Sequence, residues 1–267
     1  MLAQSDIDIV AESLDRAEKT RTQIGLISLA YPAATLEDAY AIQARWIEKK
    51  LAAGRTVYGW KVGLTSKAMQ QALRIDTPDS GVLLDDMVFE DGGTIPADRF
   101  IQTRIEAEIA FIMRAPLFGH DTTPEEVIAA TEAIAPSLEI LDTRVVRADP
   151  ATGKPRNIVD TVSDNAANAG VVLGAHRARP QNVDMRRIGA IVMRNGEVEE
   201  TGLGAGVLND PAAGVAWLAR RLAANGQSIE AGQVVLSGSF IRPLEAPHGA
   251  TIEADFGAFG SVTCHFA

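Results

Sequence analysis

The spacing of apolar residues predicts two helices at the beginning of the chain. The first apolar stripe consists of Ile7, Val10, Leu14 and Ala17. The second consists of Leu36, Ala39, Ile42, Trp46, Ile47 and Leu51. Residues at this spacing share one face of a helix. Thr35 and Asp38 form a capping-box pattern before the second stripe, with an acid in place of the usual Glu or Gln, and Gly54 predicts where that helix ends.

Strand patterns are more frequent after residue 100. Apolar and alternating runs predict strands at residues 104–113, 137–142, 170–173, 188–193, 234–240 and 261–266. The dipeptide Asn195-Gly196 follows the fourth of these runs and favours a tight hairpin turn. The chain therefore contains several strands that can form a sheet.

Two further helices are expected between these strands. Thr123 and Glu126 form a capping box with Pro124 at the first helical position, and we expect this helix to run to residue 135 and end at Pro136. The second begins after Asp210, a typical N-cap, and ends at Asn225-Gly226. We see no internal repeat and no Ser/Gly linker. The pattern predicts an α+β fold in which a helical amino-terminal region, residues 1–75, packs on a mixed body, residues 76–267.

Composition and charge exclude several classes of protein. The 267 residues are 46% hydrophobic and 22% charged, as is ordinary for a compact globular chain. The net charge of −10 disfavours nucleic acid and anionic lipid as partners. The single Cys264 offers neither an intramolecular disulfide nor a thiolate metal cluster. No apolar run approaches the roughly 18 residues of a membrane span, and residues 1–12 lack the pattern of a signal peptide. We expect a cytoplasmic protein without a membrane partner.

Three carboxylates are the first candidates for chemistry. In a strand, Glu106 and Glu108 point to the same face because successive side chains alternate. An isolated pair of this kind is often the solvated face of an edge strand. Glu139, however, lies in an apolar segment where an unpaired buried charge would be costly. If the three converge, a cation must neutralise them, and oxygen ligands favour Mg²⁺ or Mn²⁺.

A lone lysine and a group of acids form the second candidate. Lys61 lies in an apolar, Gly-flanked strand, where burial would lower its pKa and allow it to bind a carboxylate or move protons. Alternatively, its stem packs and its ammonium reaches water. Four acids, Asp76, Asp79, Asp85 and Asp86, follow in a loop-like segment. Their spacing alone does not separate a functional acid from turn and capping residues.

Two polar segments are candidates for substrate binding. Residues 160–170 are small and polar between apolar runs, and Ser163 and Asn165 lie within them. Such a segment lines a pocket or forms a capping loop. Ser237 and Gly238 close an apolar strand, where backbone amides and hydroxyls can hold a carboxylate or simply form a turn. The four histidines are scattered singly, and no dinucleotide fingerprint, Walker A sequence or nucleophile elbow is present.

Ordered motifs over almost the whole chain resemble a known family. They are G-W-K-V-G-L-T-S-K, T-P-D-S-G-V-L-L-D-D-M, R-I-E-A-E-I-A-F, L-E-I-L-D, D-T-V-S-D-N-A-A-N-A-G and E-A-G-Q-V-V-L-S-G-S-F. Together they resemble the 2-oxo-4-pentenoate hydratase family of the fumarylacetoacetase-like superfamily. The resemblance is strongest to the part of the family that uses dicarboxylates, through S-D-N-A-A-N-A-G and S-G-S-F-I-R-P.

The resemblance implies a site and a reaction. It implies that Mg²⁺ or Mn²⁺ is held by Glu106, Glu108 and Glu139, and that Lys61 and Asp79 lie near the substrate; Asp79 is identified by this resemblance alone. It also implies a mixed β-roll body, homo-oligomers and metal-dependent addition of water to a small 2-oxo acid in aromatic catabolism. Asp79 and Lys61 would manage the protons, in either assignment of acid and base.

A dicarboxylate substrate needs a second cation, and other reactions remain open. Arg242 is our candidate for binding the distal carboxylate because arginine can do so in a bidentate manner; the alternative is a surface arginine after a strand. The competing activities are a 4-oxalocrotonate-type decarboxylase, a hydratase for 2-hydroxypenta-2,4-dienoate and a carbon–carbon bond hydrolase, which normally needs a histidine-activated water. A noncatalytic acid-binding or structural protein is the alternative from a different class.

Overall fold

The computed structural model describes residues 1–67, 70, 71, 75 and 77–267. Within them, the α-helices are α1 (Gln4–Thr20), α2 (Ile27–Ala30), α3 (Leu36–Ala52), α4 (Pro124–Ala130), α5 (Ile158–Ser163) and α6 (Pro211–Ala223). The first strands are β1 (Val57–Gly63), β2 (Asp79–Leu84), β3 (Val88–Phe89), β4 (Thr94–Ile95), β5 (Arg104–Met113), β6 (Thr131–Leu141) and β7 (Asn168–Leu173). The remaining strands are β8 (Gly189–Arg194), β9 (Glu197–Leu203), β10 (Val234–Ser239), β11 (Leu244–Glu245), β12 (Thr251–Asp255) and β13 (Ser261–Phe266).

The described strands form two sheets. The larger has the order β2-β1-β10-β5-β6-β7-β3, with β11 paired to β5 at one end. The smaller has the order β4-β13-β12-β8-β9. In the larger sheet β1 runs parallel to β10, whereas β5 is antiparallel to both β10 and β6. This mixed arrangement confirms the predicted α+β class.

Two hydrophobic cores hold the described elements together. The larger core joins both sheets to α6, whose Val215, Leu218 and Leu222 are fully buried. The smaller core joins α1 and α3 to α5 and includes Val162 of that helix and Val145 before it. Strand β1 also comes from the first 75 residues but lies inside the larger sheet. A division of the chain near residue 75 stays a prediction.

The predicted helix ends are correct in most places. Thr35 and Asp38 form both bonds of the capping box at α3, and Asp210 accepts a hydrogen bond from the backbone N–H of Ala212 at the start of α6. Asn195 and Gly196 form the turn between β8 and β9, both with positive φ, as a tight hairpin turn of this kind requires.

The helix predicted at residues 123–135 is wrong at its carboxyl end. The Thr123–Glu126 capping box is present, but α4 ends at Ala130 and β6 starts at Thr131. Ile134 pairs with Phe111 of β5 and is fully buried, so tertiary pairing overrides the local helical pattern. Pro136 does not end the element: its carbonyl accepts a bond from the N–H of Gly174, and the strand continues through it to Leu141.

Sequence patterns also missed a strand and a helix. Residues 79–84 form the fully buried strand β2, although they lie in the segment expected to be loop-like. The apolar run within it is only a few residues long, and such runs carry little periodic signal. The short helix α5 is present in the polar segment near residue 160, where Asn157 and Asp160 form a capping box. Among the described residues, no helix is long and apolar enough to cross a membrane.

Candidate active site

Three glutamates from two neighbouring strands converge in the larger sheet. Glu106 and Glu108 share one face of β5, and Glu139 of β6 pairs directly with Glu106 in the antiparallel register. One carboxylate oxygen of each residue lies within 4.8 Å of the others. Glu108 and Glu139 are fully buried, whereas Glu106 reaches a cavity. The predicted convergence of these three carboxylates is therefore present in the structure.

The carboxylates lack enough partners for a buried anionic cluster. Among the described residues, Glu108 Oε1 and both oxygens of Glu139 have no hydrogen-bond donor. Burial, together with the neighbouring Glu139, raises the pKa of Glu106 to about 8 and that of Glu108 well above its usual value. Burial also raises the pKa of Glu139, although the charge of Lys61 opposes this shift. Unpartnered carboxylate oxygens at this spacing fit a hard divalent cation.

A backbone amide orients one of the three carboxylates. The N–H of Gly238 donates a 2.7 Å hydrogen bond to Glu108 Oε2, at an irregularity in the pairing of β10 with β5. Gly238 has a φ of +122°, and a Cβ there would lie 2.3 Å from the Thr65 hydroxyl. A side chain at this position would disturb the strand end that holds Glu108. Gly238 thus binds a carboxylate of the protein itself.

Lys61 of β1 and Asp79 of β2 lie beside the glutamates, although β10 separates β1 from β5. Lys61 Nζ is 3.5 Å from Glu139 Oε1 and 3.9 Å from Asp79 Oδ1, and all three side chains are almost completely buried. Burial alone lowers the pKa of Lys61, but the charges of Glu139 and Asp79 outweigh it, and the pKa is raised above its ordinary value. The lowered pKa expected from burial alone is therefore wrong, and Lys61 carries its charge in this environment.

Asp79 differs from the other acids of its segment. Burial raises its pKa, while the positive charges of Lys61 and Arg156 act in the opposite direction. Its Oδ1 has no hydrogen-bond donor among the described residues. Asp85 is exposed and accepts a bond from the backbone of Thr56, and Asp86 pairs with Arg55. Asp76 lies outside the described residues.

A cavity of about 770 Å³ opens beside this group. Lys61, Asp79 and Glu106 line it, together with apolar Leu141 and Ile241. Thr65 and Ser239 add hydroxyls, and the segment 154–158 together with Arg104 adds positive charge. The cavity can therefore admit a small, polar, negatively charged molecule to the carboxylates.

The other predicted binding residues lie outside the cavity lining. Asn165 holds strand β2, because its side chain bonds both the N–H and the carbonyl of Val82. Ser163 is buried at the end of α5, and Ser237 donates to the carbonyl of Ile109. Arg242 is exposed and bonds Glu200. The structure brings none of these side chains to the cavity, which leaves their predicted contact with substrate without support.

Some residues near the site were not identified by sequence patterns. Arg156 lines the cavity, and Arg144 and Asp164, whose charges act on it, form a buried pair with 2.5 Å between Nε and Oδ1. Asp164 belongs to the S-D-N motif, but nothing in the sequence indicates which arginine it meets. Arg156 follows a Lys-Pro dipeptide in a loop, where no periodicity exists to indicate its direction.

Comparison with known proteins gives close relatives over nearly the whole length. The chain is 53% identical over 258 residues to 2-oxo-hept-4-ene-1,7-dioate hydratase of Escherichia coli, covering 97% of each chain. It is 36% identical over 256 residues to 2-keto-4-pentenoate hydratase of Paraburkholderia xenovorans, covering 96% of this chain and 93% of the relative. A scan against models of protein families found no match.

Solved structures agree with the fold. The 4-oxalocrotonate decarboxylase of Pseudomonas putida G7, complexed with magnesium and adipate, is 32% identical and superposes with a TM-score of 0.93 over 100% of this chain and 99% of that one. A fumarylpyruvate hydrolase of Pseudomonas aeruginosa, at 15% identity, shares only the fold, with a TM-score of 0.57 over 78% of this chain and 88% of that one. The predicted fumarylacetoacetase-like fold is confirmed.

Proposed function

The chain belongs to the 2-oxo-4-pentenoate hydratase family, and from this membership we propose that it adds water to 2-oxohept-4-ene-1,7-dioate. The substrate enters as its enol, 2-hydroxyhepta-2,4-dienedioate, and the product is 4-hydroxy-2-oxoheptanedioate. One observation carries the proposal. A cluster of three carboxylates, two of them with unpartnered buried oxygens, lies beside the Lys61–Asp79 pair and reaches a cavity through Glu106, in a chain 53% identical to a hydratase of this substrate.

The donor set supports a bound divalent metal. Glu106, Glu108 and Glu139 would hold it, and we propose Mg²⁺, with Mn²⁺ as the alternative. The metal supplies a Lewis acid that stabilises negative charge developing on the 2-oxo group. The N–H of Gly238 holds the Glu108 carboxylate in this set.

We assign the proton transfers of the reaction to Asp79 and Lys61. Ketonisation moves the enol proton from the C2 oxygen and adds a proton at C5, which leaves a C3–C4 double bond conjugated to the ketone. The oxygen of water then forms a bond to C4, and a proton is added at C3. Asp79 has an unpartnered oxygen and a raised pKa, so it can take a proton at one step and return it at another.

Lys61 has a different part in the proposed reaction. Its ammonium lies 3.9 Å from Asp79 Oδ1, and the charges of Glu139 and Asp79 raise its pKa and so favour its charged form. We assign it to binding the substrate's first carboxylate and to stabilising the ionised form of Asp79. Exchange of the two roles would make Lys61 the proton donor.

The proposal extends to the setting of the enzyme. We propose a cytoplasmic homo-oligomer that acts on a small dicarboxylate in the breakdown of an aromatic compound, with neither nucleic acid nor a membrane as a partner. The acidic composition supports the exclusion of nucleic acid and of anionic membranes. Light scattering of the purified protein tests the oligomer directly, since a monomer would contradict that part.

A comparison of two substrates tests the reaction. Mg²⁺-loaded protein is incubated separately with 2-hydroxyhepta-2,4-dienedioate and 2-oxohex-3-enedioate, and the products are identified by mass spectrometry. We expect one water to be gained by the first substrate, and no reaction after treatment with a chelator. Loss of CO₂ from the second substrate would instead indicate that the chain is a decarboxylase, the activity for which one of its relatives is named. No metal-dependent change in either substrate would favour a noncatalytic protein.

A further inference from the structure

The cavity contains a cation that forms no salt bridge with the described residues. Arg156 lines the cavity, and its guanidinium forms no salt bridge within the described residues. Its Nη1 is buried and has no hydrogen-bond partner there. A buried guanidinium N–H without a partner is costly unless an anion binds to it.

The other cations of the cavity are already engaged or exposed. Lys61 faces Asp79 and Glu139, and Arg104 Nε donates a 2.6 Å bond to Glu245. Lys154 is exposed to solvent. Asp164 is an acid whose charge acts on Arg156, but its carboxylate is already bound by Arg144. Arg156 is therefore the cavity cation whose donors are free for a ligand.

Positive charge lines the cavity beyond the glutamate cluster along β5. Arg104, whose positive charge acts on Arg156, lies two residues before Glu106 on the same face of β5. A strand rises by about 3.4 Å per residue, so about 7 Å of strand separates Arg104 from the glutamate cluster. This distance is of the order that separates the two ends of a seven-carbon diacid. Arg104 thus lies about one substrate length along β5 from Glu106, and Arg156 lines the same cavity.

We propose that Arg156 binds the distal carboxylate of the substrate and so selects dicarboxylates over monocarboxylates. The inference rests on the proposed function, because it needs a substrate whose first carboxylate lies near the glutamate cluster. A guanidinium can donate two parallel bonds to a carboxylate. Arg156 would then have the role that the sequence suggested for Arg242, whose guanidinium bonds Glu200 on the surface.

Substrate choice in three variants provides the kinetic test. We compare kcat/KM for 2-hydroxyhepta-2,4-dienedioate and 2-hydroxypenta-2,4-dienoate in the wild-type protein, Arg156→Met, Arg156→Lys and the matched control Arg242→Ala. Loss of two charge-assisted bonds predicts a fall of about 100-fold for the dicarboxylate in Arg156→Met, with the monocarboxylate unchanged. Arg156→Lys keeps the positive charge but cannot donate two parallel hydrogen bonds to one carboxylate. The ratio of the two kcat/KM values should therefore be intermediate. Arg242→Ala should keep the wild-type ratio.

Binding of unreactive acids provides a second test that needs no turnover. Calorimetry with the Mg²⁺-loaded protein compares adipate, a dicarboxylate, with hexanoate, a monocarboxylate of the same length. Arg156→Met should weaken binding of adipate alone. An unchanged substrate ratio and unchanged adipate binding in Arg156→Met, or a changed ratio in Arg242→Ala, would overturn the inference. If Arg156→Met fails to fold, the same comparison with Arg156→Lys decides it.

The two proposals fail in different ways. If the wild-type protein hydrates neither substrate, the proposed function is wrong. The binding of adipate then still tests whether Arg156 binds a carboxylate. If the wild type prefers the dicarboxylate and the Arg156 variants keep that preference, only the role of Arg156 is wrong.

Discussion

Lys61 and Glu139 form a 3.5 Å ion pair although two strands of the sheet separate their own strands. Lys61 is on β1 and Glu139 on β6, with β10 and β5 between them. Neighbouring strands are about 4.8 Å apart, so the two backbones would be about 14 Å apart in a flat sheet. Because side chains stand roughly perpendicular to a sheet, the contact indicates that the sheet curls and so brings the lysine and the three glutamates together. The curvature of the sheet builds the site.

Substitution of Asp79 tests the proton-transfer role. Asp79→Asn keeps the shape of the side chain but removes its ability to gain and lose a proton, and we expect kcat to fall by about 10²–10⁴-fold. Metal binding should remain, because Asp79 is not one of the three clustered glutamates. Steady-state kinetics and metal titration measure the two effects. The exposed neighbour Asp85, changed to Asn, is the control, and a wild-type kcat in Asp79→Asn would refute the role.

Substitution of Glu106 separates metal binding from folding. Glu106→Gln removes one charge from the metal site, so we expect metal-dependent turnover to be lost and Mg²⁺ to stabilise the variant less than the wild type in thermal unfolding. The metal-free variant should be at least as stable as the metal-free wild type, since repulsion with Glu139 is relieved. Glu132→Gln, an exposed change on the strand of Glu139, is the control. Normal turnover in Glu106→Gln would contradict the site.

The metal-free protein should lose stability as pH rises. Burial and Glu139 keep the proton of folded Glu106 up to a pKa of about 8, whereas the ordinary value is 4.5. Between these values the folded state binds more protons than the unfolded state, so the free energy of unfolding falls as pH rises. The melting temperature of chelator-treated protein should therefore be lower at about pH 8.5 than at about pH 6.5. Glu106→Gln should reduce this difference in melting temperature. A melting temperature of the wild type that rises with pH over this range would contradict the raised pKa of Glu106.

The raised pKa of Glu106 also predicts how the affinity for Mg²⁺ depends on pH. Protons compete with the metal for Glu106 below its pKa of about 8, so Mg²⁺ affinity should weaken on acidification through that value. Binding should release protons, which calorimetry in buffers of different ionisation enthalpy detects. A pH-independent affinity across this range would show that the carboxylates are ionised without the metal.

A buried ion pair supports the segment beside the cavity. Arg144 and Asp164 are at most 1% exposed, and Asp164 also accepts a bond from the backbone N–H of Arg144. Asp164→Asn leaves the arginine charge buried and unpaired, and we expect it to lower the free energy of unfolding by about 3–5 kcal/mol. Denaturant titration measures the loss. Asp8→Asn, which breaks an exposed pair with Arg45, should change little, and equal effects of the two variants would contradict the structural role.

Local patterns predicted some features of this molecule well. The alternation of side chains in a strand placed Glu106 and Glu108 on one face, and capping residues located the starts of α3, α4 and α6. These features depend on residues close together in the chain. The carboxyl end of α4 was missed because the pairing of Ile134 with Phe111, a contact far apart in sequence, decides it.

The rest of the site depends on register and curvature. Glu139 meets Glu106 through the alignment of β5 with β6, and Asp79 reaches Lys61 through the pairing of β2 with β1. No local pattern specifies either alignment, so Asp79 was identified only by resemblance to a family. Arg156 was missed because it lies in a loop whose direction the fold determines. Arg242 has a suitable residue type and a nearby motif, yet its side chain bonds Glu200.

Metal-dependent incorporation of water tests the central claim most directly. The protein is stripped with a chelator, reloaded with Mg²⁺ and incubated with 2-hydroxyhepta-2,4-dienedioate in water labelled with heavy oxygen. We predict that the reloaded protein forms a product with one labelled oxygen at C4 and no loss of CO₂, and that the stripped protein forms none. Equal product from the stripped protein, or a product without the label at C4, would contradict the account.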